Sequence, residues 1–393
     1  MTIIQGNNGH VFGSARPAAQ GAAIHREPPR DTHFRELPAP TGAPPFRLDL
    51  KEILSDSDYA TIVNRKRLVF HLNGDMGGIK YAVPQELVAA GMEADLAKPS
   101  EDGSLPDFLY ITGDCVYFNG EVEQYYSQFY EPYEHYHRPV FAIPGNHDGE
   151  NLPDDKPLRG FMRNFCASAP GTKTPEAQSS FRTAMNQPNC YWTLLTPLCS
   201  IIGLYSNVPE GGEIDETQQA WVVKELETLP KDLPLFVALH HPLYSADNYH
   251  SGSSKMRTFL DAVATEAGRY PDMVLAGHVH DYQRLSSVHP DRGLVPHLVT
   301  GAGGYHNLHS IQKVDGEKMV TPSNFDAGDG EAVTLEKYSD DHHGFLRMEV
   351  TPELIIGRYY EVPRPQEPRT KGSQLLDYWE YDFKNKRWVP NQP

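Results

Sequence analysis

Five short apolar runs in this chain each end in a cluster of Gly, Asp, Asn or His, and that repeated pattern restricts the fold more than any other feature. The clusters are Gly74-Asp75-Met76-Gly77, Gly113-Asp114-Cys115-Val116-Tyr117, Gly145-Asn146-His147-Asp148, His240-His241-Pro242 and Gly277-His278-Val279-His280. Continuous apolar runs of this length read as strands buried on both faces. Helical patterns separate them. Pro84 opens one to about Lys98, Asp215 caps another through Leu229, and Met256, Phe259, Leu260 and Val263 mark a third. Strand, turn, helix, strand is the pattern of parallel βαβ units, which place function at the carboxyl ends of the strands.

Beyond the last cluster the texture changes. Leu294–Thr300, Gly344–Val350 and Leu354–Glu361 read as strands without long helices between them. They predict a second, mostly antiparallel sheet packed on the first, with helices outside, which makes the fold class α/β. Residues 1–45 are rich in Gly, Ala and Pro and read as an irregular tail; residues 46–365 form the expected catalytic domain, and 366–393 an extension that closes as a hairpin. Val122, Tyr125, Tyr126, Phe129 and Tyr133 fall at helical spacing and read as core packing. Residues 150–189 lose periodicity just after a turn of the set, which suits a substrate lid or a covering loop equally.

Composition narrows the classes of function. The net charge of −17 disfavours a nucleic-acid partner, and no apolar run is long enough for a membrane helix. The first twenty residues carry no secretory pattern, so a cytoplasmic location is expected. Cys115, Cys166, Cys190 and Cys199 lack zinc-type spacing and are expected to be reduced and buried.

The five turns together offer carboxylates, an amide, imidazoles and a phenol. That mixed oxygen and nitrogen set suits iron, manganese or zinc, and it exceeds what one ion needs. With two ions a carboxylate should bridge a pair about 3.5–4 Å apart, and such a pair clamps a phosphoryl group and activates a water. His147, directly after Asn146, is placed to donate to a phosphoryl oxygen or to the leaving group. Taken singly, each residue has a blander role: Asp75 and Asp114 as helix caps, Asn146 as a turn residue, His240 and His241 as core histidines, Tyr117 as packing. Five turns agreeing in order outweigh those readings. Asp31-Thr32-His33 mimics a ligand pair but follows no strand, and His306 and His309 read as rim residues.

The turns, in order over roughly residues 67–284, resemble those of the calcineurin-like metallophosphoesterases. Asp-x-Gly at Asp75–Gly77 and Gly-Asp-x-x-Tyr at Gly113–Tyr117 resemble the purple acid phosphatase branch; most other branches carry histidine where Gly77 stands. The resemblance implies a four-layer αββα sandwich of two mixed sheets flanked by helices. It implies Fe(III) held by Asp75, Asp114, Tyr117 and His280, and a divalent ion (Fe, Zn or Mn) held by Asp114, Asn146, His240 and His278. His147 and His241 would face the phosphate. The implied reaction is hydrolysis of a small phosphomonoester by metal-bound hydroxide. A phosphodiesterase on the same core is the nearest rival, and a non-catalytic interaction protein of this fold is the rival from another class. No candidate ligand precedes Pro45 once Asp31 and His33 are set aside. Deleting that tail should leave metal content and turnover near the parent's, as metal analysis beside a phosphatase assay will show.

Overall fold

The computed structural model describes residues 33–99, 103–150, 155–327 and 332–390, together with a short pairing of Ile4–Gln5 with Val11–Phe12. Most of the 1–45 tail, Asp31 included, lies outside the described residues, and His33 is exposed. Among the described residues, two large mixed sheets form, of nine and seven strands. Leu68–Asn73, Phe108–Ile111 and Val140–Ala142 pair in parallel within the seven-stranded sheet. Leu235–Ala238 and Met273–Ala276 pair in parallel within the nine-stranded one. These are the strands that lead into the five turns, and the two sheets share them three and two.

The later strands do not make a sheet of their own. Gly344–Val350 runs antiparallel to Leu68–Asn73, with Met348 opposite Phe70, and Leu354–Glu361 and Gln374–Asp382 continue outward from it. Gly293–Thr300 joins the other sheet, parallel to Met273–Ala276 and antiparallel to Tyr282–His289. The physical reason is edge protection: Leu68–Asn73 is buried along its whole length, and leaving uncovered the edge opposite Phe108–Ile111 would strand buried peptide groups without partners.

The sheets face each other across one apolar cluster of buried residues that includes Phe70, Ile111, Trp192, Ile202 and Leu275. Trp192 donates its indole N–H to the Ala142 carbonyl at 3.1 Å and lies over Tyr110. Tyr282 and Tyr359 stack with centroids 3.8 Å apart. Helices close both outer layers, giving the four-layer αββα sandwich. Pro84 lies in the first turn of Val83–Leu96, and Asp215 caps Glu216–Thr228 by accepting from Gln218 N at 2.7 Å. Ser254–Ala267 ends at Gly268, whose φ of 64° favours glycine. Among the described residues no helix is long and apolar enough to cross a membrane.

The aromatic stripe packs as expected at Val122, Tyr125, Phe129 and Tyr133, all buried, while Tyr126 is partly exposed. The helix that carries it is irregular, a 3-10 turn at Val122–Gln124 followed by a π turn at Tyr126–Tyr130. Phe161 and Phe165, on helix Arg159–Phe165, pack in the same cluster. Helix Arg159–Phe165 thus packs its phenylalanines on the core, while Glu150 at the start of the segment lines the cavity. The four cysteines are buried and unbridged.

Asp377 ties the sheets behind the last turn, accepting from Tyr282 OH at 2.9 Å and from Arg284 Nε at 2.8 Å and Nη2 at 3.1 Å. Removing it strands a largely covered guanidinium and a buried phenol. Asp377→Ala is expected to cost about 3–5 kcal/mol of stability, the range for breaking one side of a buried ion pair. Denaturant unfolding should show Asp377→Asn, which keeps an acceptor, losing clearly less.

Candidate metal centre

Three of the turns force ordinary residues into left-handed backbone: φ is 55° at Asp75, 53° at Asp114 and 69° at His278. Such conformations cost about 1–3 kcal/mol each and persist where surrounding contacts over-determine them. The contacts are main-chain bonds between turns. Asp75 N donates to Gly113 O at 2.9 Å, Met76 N to Asp114 O at 3.2 Å, and Gly277 N to His240 O at 3.1 Å. Gly145 packs so closely on Asp114 that a Cβ there would lie 2.5 Å from the Asp114 nitrogen.

This stitching brings Asp75, Asp114, Tyr117, Asn146, His147, His240, His241, His278 and His280 to one place. Ligand atoms of Asp75, Asp114 and His240 lie within 4.8 Å of one another. The Asn146 Oδ1 is 3.1 Å from both His240 Nε2 and His278 Nδ1. The Tyr117 hydroxyl is 3.2 Å from Asp75 Oδ1 and 3.3 Å from His280 Nε2. A cavity opens beside them, lined by Asp114, Asn146, His147, His241, His278 and His280 among others.

The donors are pre-oriented. Asp75 accepts His278 N on Oδ2 at 2.8 Å, which leaves Oδ1 toward Tyr117 and His280. Asp114 accepts His147 N on Oδ1 at 2.9 Å, and its Oδ2 stands 3.4 Å from His240 Nε2. His240 and His280 hold Nδ1 on the carbonyls of Thr112 (2.9 Å) and Asn307 (2.8 Å), which aims Nε2 of each at a carboxylate, 3.4 Å from Asp114 Oδ2 and from Asp75 Oδ1. His147 likewise gives Nδ1–H to Phe118 O at 2.8 Å, and His241 bonds Ser206 Oγ through Nδ1 at 2.8 Å. The His241 Nε2 is buried without a partner among the described residues and belongs to the cavity wall.

Electrostatics match a site that awaits cations. Burial alone opposes charge on His240, but Asp114 and Asp75 outweigh it and push its pKa up to about 9. Burial would raise Asp114 too, yet His240 and His147 hold it below the ordinary carboxyl value. Burial, with the like charges of Asp114 and Asp75, drives the Tyr117 phenol well above its usual value. A bound cation would compensate the same carboxylates and oppose that shift. Oxygen and imidazole donors, free lone pairs and buried negative charge fit a pair of hard or borderline metal ions.

Tyr117 occupies a prepared slot. A Cβ on Gly77 would lie 2.8 Å from the Tyr117 ring, so glycine there and tyrosine here fill one space between them. Gln128, on the π turn, clamps the Tyr117 backbone by accepting its N–H at 2.9 Å and donating to its carbonyl at 2.6 Å. Tyr305 stacks on the Tyr117 ring at 4.0 Å.

Asp148 ties turns rather than the His147 ring beside it, whose Nδ1 goes to Phe118 O. Its carboxylate accepts Gly145 N (2.9 Å), Cys115 N (3.0 Å) and Val116 N (3.1 Å), locking the second and third turns together. His309, read as a rim residue, lines the cavity wall with its ring 4.3 Å from that of His280. Gln128, Glu150, Glu210, His250 and Tyr305 carried no sequence signal. None sits at a strand end of the repeating pattern, and only the tertiary contacts bring them in.

Comparison with known proteins agrees with this arrangement. The calcineurin-like phosphoesterase profile matches residues 71–282, which hold every member of the cluster. The chain belongs to the calcineurin-like phosphoesterase family. The family has a dinuclear metal site and hydrolyses phosphoric esters. Similar proteins include the probable purple acid phosphatase 20 of Arabidopsis thaliana, 25% identical over 47% of this chain and 42% of that protein. A probable glycerophosphodiester phosphodiesterase of Arcobacter nitrofigilis is 29% identical over 44% of this chain and 57% of that one. The chain thus spans only about half the length of these curated relatives. Among solved structures, a purple acid phosphatase from yellow lupin aligns with a TM-score of 0.55 at 17% identity, covering 80% of this chain and 54% of that one. GAP50, the anchor in the inner membrane complex of Plasmodium, aligns at 0.52 and 14% identity, covering 79% and 89%. These two likenesses concern the fold.

Asp148→Ala should loosen this phosphoesterase centre without touching a donor. Residues that orient ligands typically contribute about 10–100-fold to metal affinity. Competition against a chelator should reveal a loss of that size; unchanged affinity would mean the turns hold their shape without Asp148.

Proposed function

We propose that the chain is a dinuclear phosphomonoesterase of the purple acid phosphatase type. The observation that carries this reading is Tyr117, its backbone held by Gln128, its hydroxyl set between Asp75 and His280 and its ring in the space that a side chain on residue 77 would need. Asp75, Asp114, Tyr117 and His280 would hold Fe(III), and Asp114, Asn146, His240 and His278 a divalent ion of iron, zinc or manganese. When bound, such a pair supplies Lewis acidity and lowers the pKa of a water. The chain's own residues do the rest. Asp114 has one oxygen on the His147 amide and the other 3.4 Å from His240 Nε2, and it would be the carboxylate that the two ions share. His241 presents Nε2 to a phosphoryl oxygen, while its Nδ1 is held by Ser206. His147 lines the cavity with Nδ1 committed to Phe118 O, so its Nε2 is the atom that hands a proton to the departing alkoxide. The substrate is small, since the donors lie in a cavity rather than on an open face. The similarity to a protein named as a glycerophosphodiester phosphodiesterase favours a diester as the second reading.

Iron-replete protein should be coloured, because phenolate on Fe(III) absorbs visible light and zinc or manganese(II) does not. Tyr117→Phe should lose the colour and keep the fold. Active, iron-loaded protein without colour sinks the purple assignment and leaves a generic phosphoesterase.

His147→Ala is expected to retain both metals and to slow hydrolysis by about 10²–10⁴-fold, the usual worth of a positioned proton donor. The loss should shrink as the leaving group improves. A loss that stays constant across a leaving-group series would assign His147 to charge stabilisation instead.

A further inference from the structure

The His241 imidazole is held by a loop that is itself held by the N-terminal segment. Ser206 Oγ stands 2.8 Å from His241 Nδ1 and accepts the His241 main-chain N–H at 3.4 Å. The other ring nitrogen, Nε2, is buried without a partner among the described residues, and His241 lines the cavity. A serine hydroxyl that gives its hydrogen to Nδ1 leaves the ring proton on Nε2, the atom that a phosphoryl oxygen would meet.

Ser206 aims that ring only if its own backbone is fixed, and two amide side chains fix it from either side. Gln218, on helix Glu216–Thr228, accepts Tyr205 N–H on Oε1 at 2.9 Å and donates Nε2 to Tyr205 O at 3.0 Å. Asn207 does the same toward the N-terminal segment. Its Oδ1 accepts Arg35 N–H at 2.8 Å, and its Nδ2 donates to Arg35 O at 2.9 Å. The same Oδ1 accepts Val208 N–H at 2.8 Å, and the φ of 60° at Asn207 is a left-handed conformation that asparagine tolerates better than most residues. Glu213 N–H closes the loop on Ser206 O at 2.8 Å, and between them Val208 and Glu210 line the cavity. Ser206 and Asn207 are both buried, so bulk water does not replace a lost partner.

We propose that Asn207 is a positioning residue for phosphate binding: by pinning the Arg35 main chain beside Ser206, it holds His241 Nε2 toward the phosphoryl oxygen. The segment at Arg35 is then a strap of the site. The proposal rests on the reading that His241 faces the phosphate, and it adds what keeps His241 there. None of these bonds involves a metal ligand, so metal content should hold. A contact made equally to bound substrate and transition state appears in KM and leaves kcat in place. Turnover at saturation is therefore compatible with loss of the tail, while affinity for phosphate is not.

The test is a double-mutant cycle on the full chain loaded with iron and zinc. It is read by calorimetric titration of inorganic phosphate and by p-nitrophenyl phosphate kinetics. Asn207→Gly keeps the left-handed turn and deletes the clamp. It should raise the phosphate Kd and the KM about 10-fold, the low end for one hydrogen bond to a charged group, with kcat and metal content near the parent's. In a His241→Ala background the same substitution should change neither value, because the atom it positions is gone. Arg35→Pro, which removes the donated N–H, should match Asn207→Gly and add little to it, and it carries the same cycle if the glycine variant folds poorly. Additive effects of Asn207→Gly and His241→Ala, or unchanged phosphate affinity in Asn207→Gly and Arg35→Pro, overturn the proposal. Phosphate binding with the expected coupling but no monoester hydrolysis by the parent would retain the strap and remove the phosphomonoesterase. Hydrolysis by the parent without that coupling would do the reverse.

Discussion

Asp75 and Asp114 are buried carboxylates that each give one oxygen to a main-chain amide of a different turn, and the centre depends on that division. The committed oxygen fixes the carboxylate's direction; the other is left facing imidazoles and a phenol. Burying two such charges a few ångströms apart is costly unless cations or hydrogen bonds offset them. Here hydrogen bonds offset part, and His240, with its pKa pushed up to about 9, offsets more. Bound metal ions would complete the compensation, so the same burial that strains the fold favours ion binding.

The left-handed turns at Asp75, Asp114 and His278 follow from this arrangement. Each lets a strand end reverse sharply, so that a side chain and the next amide serve neighbouring turns. Asp148 adds three amide bonds and makes the second and third turns one unit. Because those turns leave the seven-stranded sheet while the fourth and fifth leave the nine-stranded one, the site also requires the sheets to stay in register. Trp192 over Tyr110, Tyr282 on Tyr359 and the Asp377 tie hold that register behind the turns. The outer cavity is a separate layer, its wall including Glu150, Glu210, His250 and His309 from segments outside the strands.

The strands, the helices after Pro84 and Asp215 and the five turns whose side chains the fold gathers were legible in the sequence, because each rests on local chemistry. An apolar run buries itself, Asp215 caps the amides that follow it, and Asp, Asn and His cluster where strands end. Pairing between distant strands was not legible. Gly344–Val350 could border its own sheet or cover Leu68–Asn73 with the same residues, and only the exposed edge of the latter decides. The partition of five strands between two sheets is equally a tertiary outcome. So are the roles of Gln128, which clamps Tyr117 through an irregular turn, and of Glu210 and His309, which reach the cavity from loops. Local pattern determined which atoms are offered to the centre. Long-range packing decided which of them meet, and what stands at the entrance, because contacts between residues far apart in the chain leave no periodic trace in it.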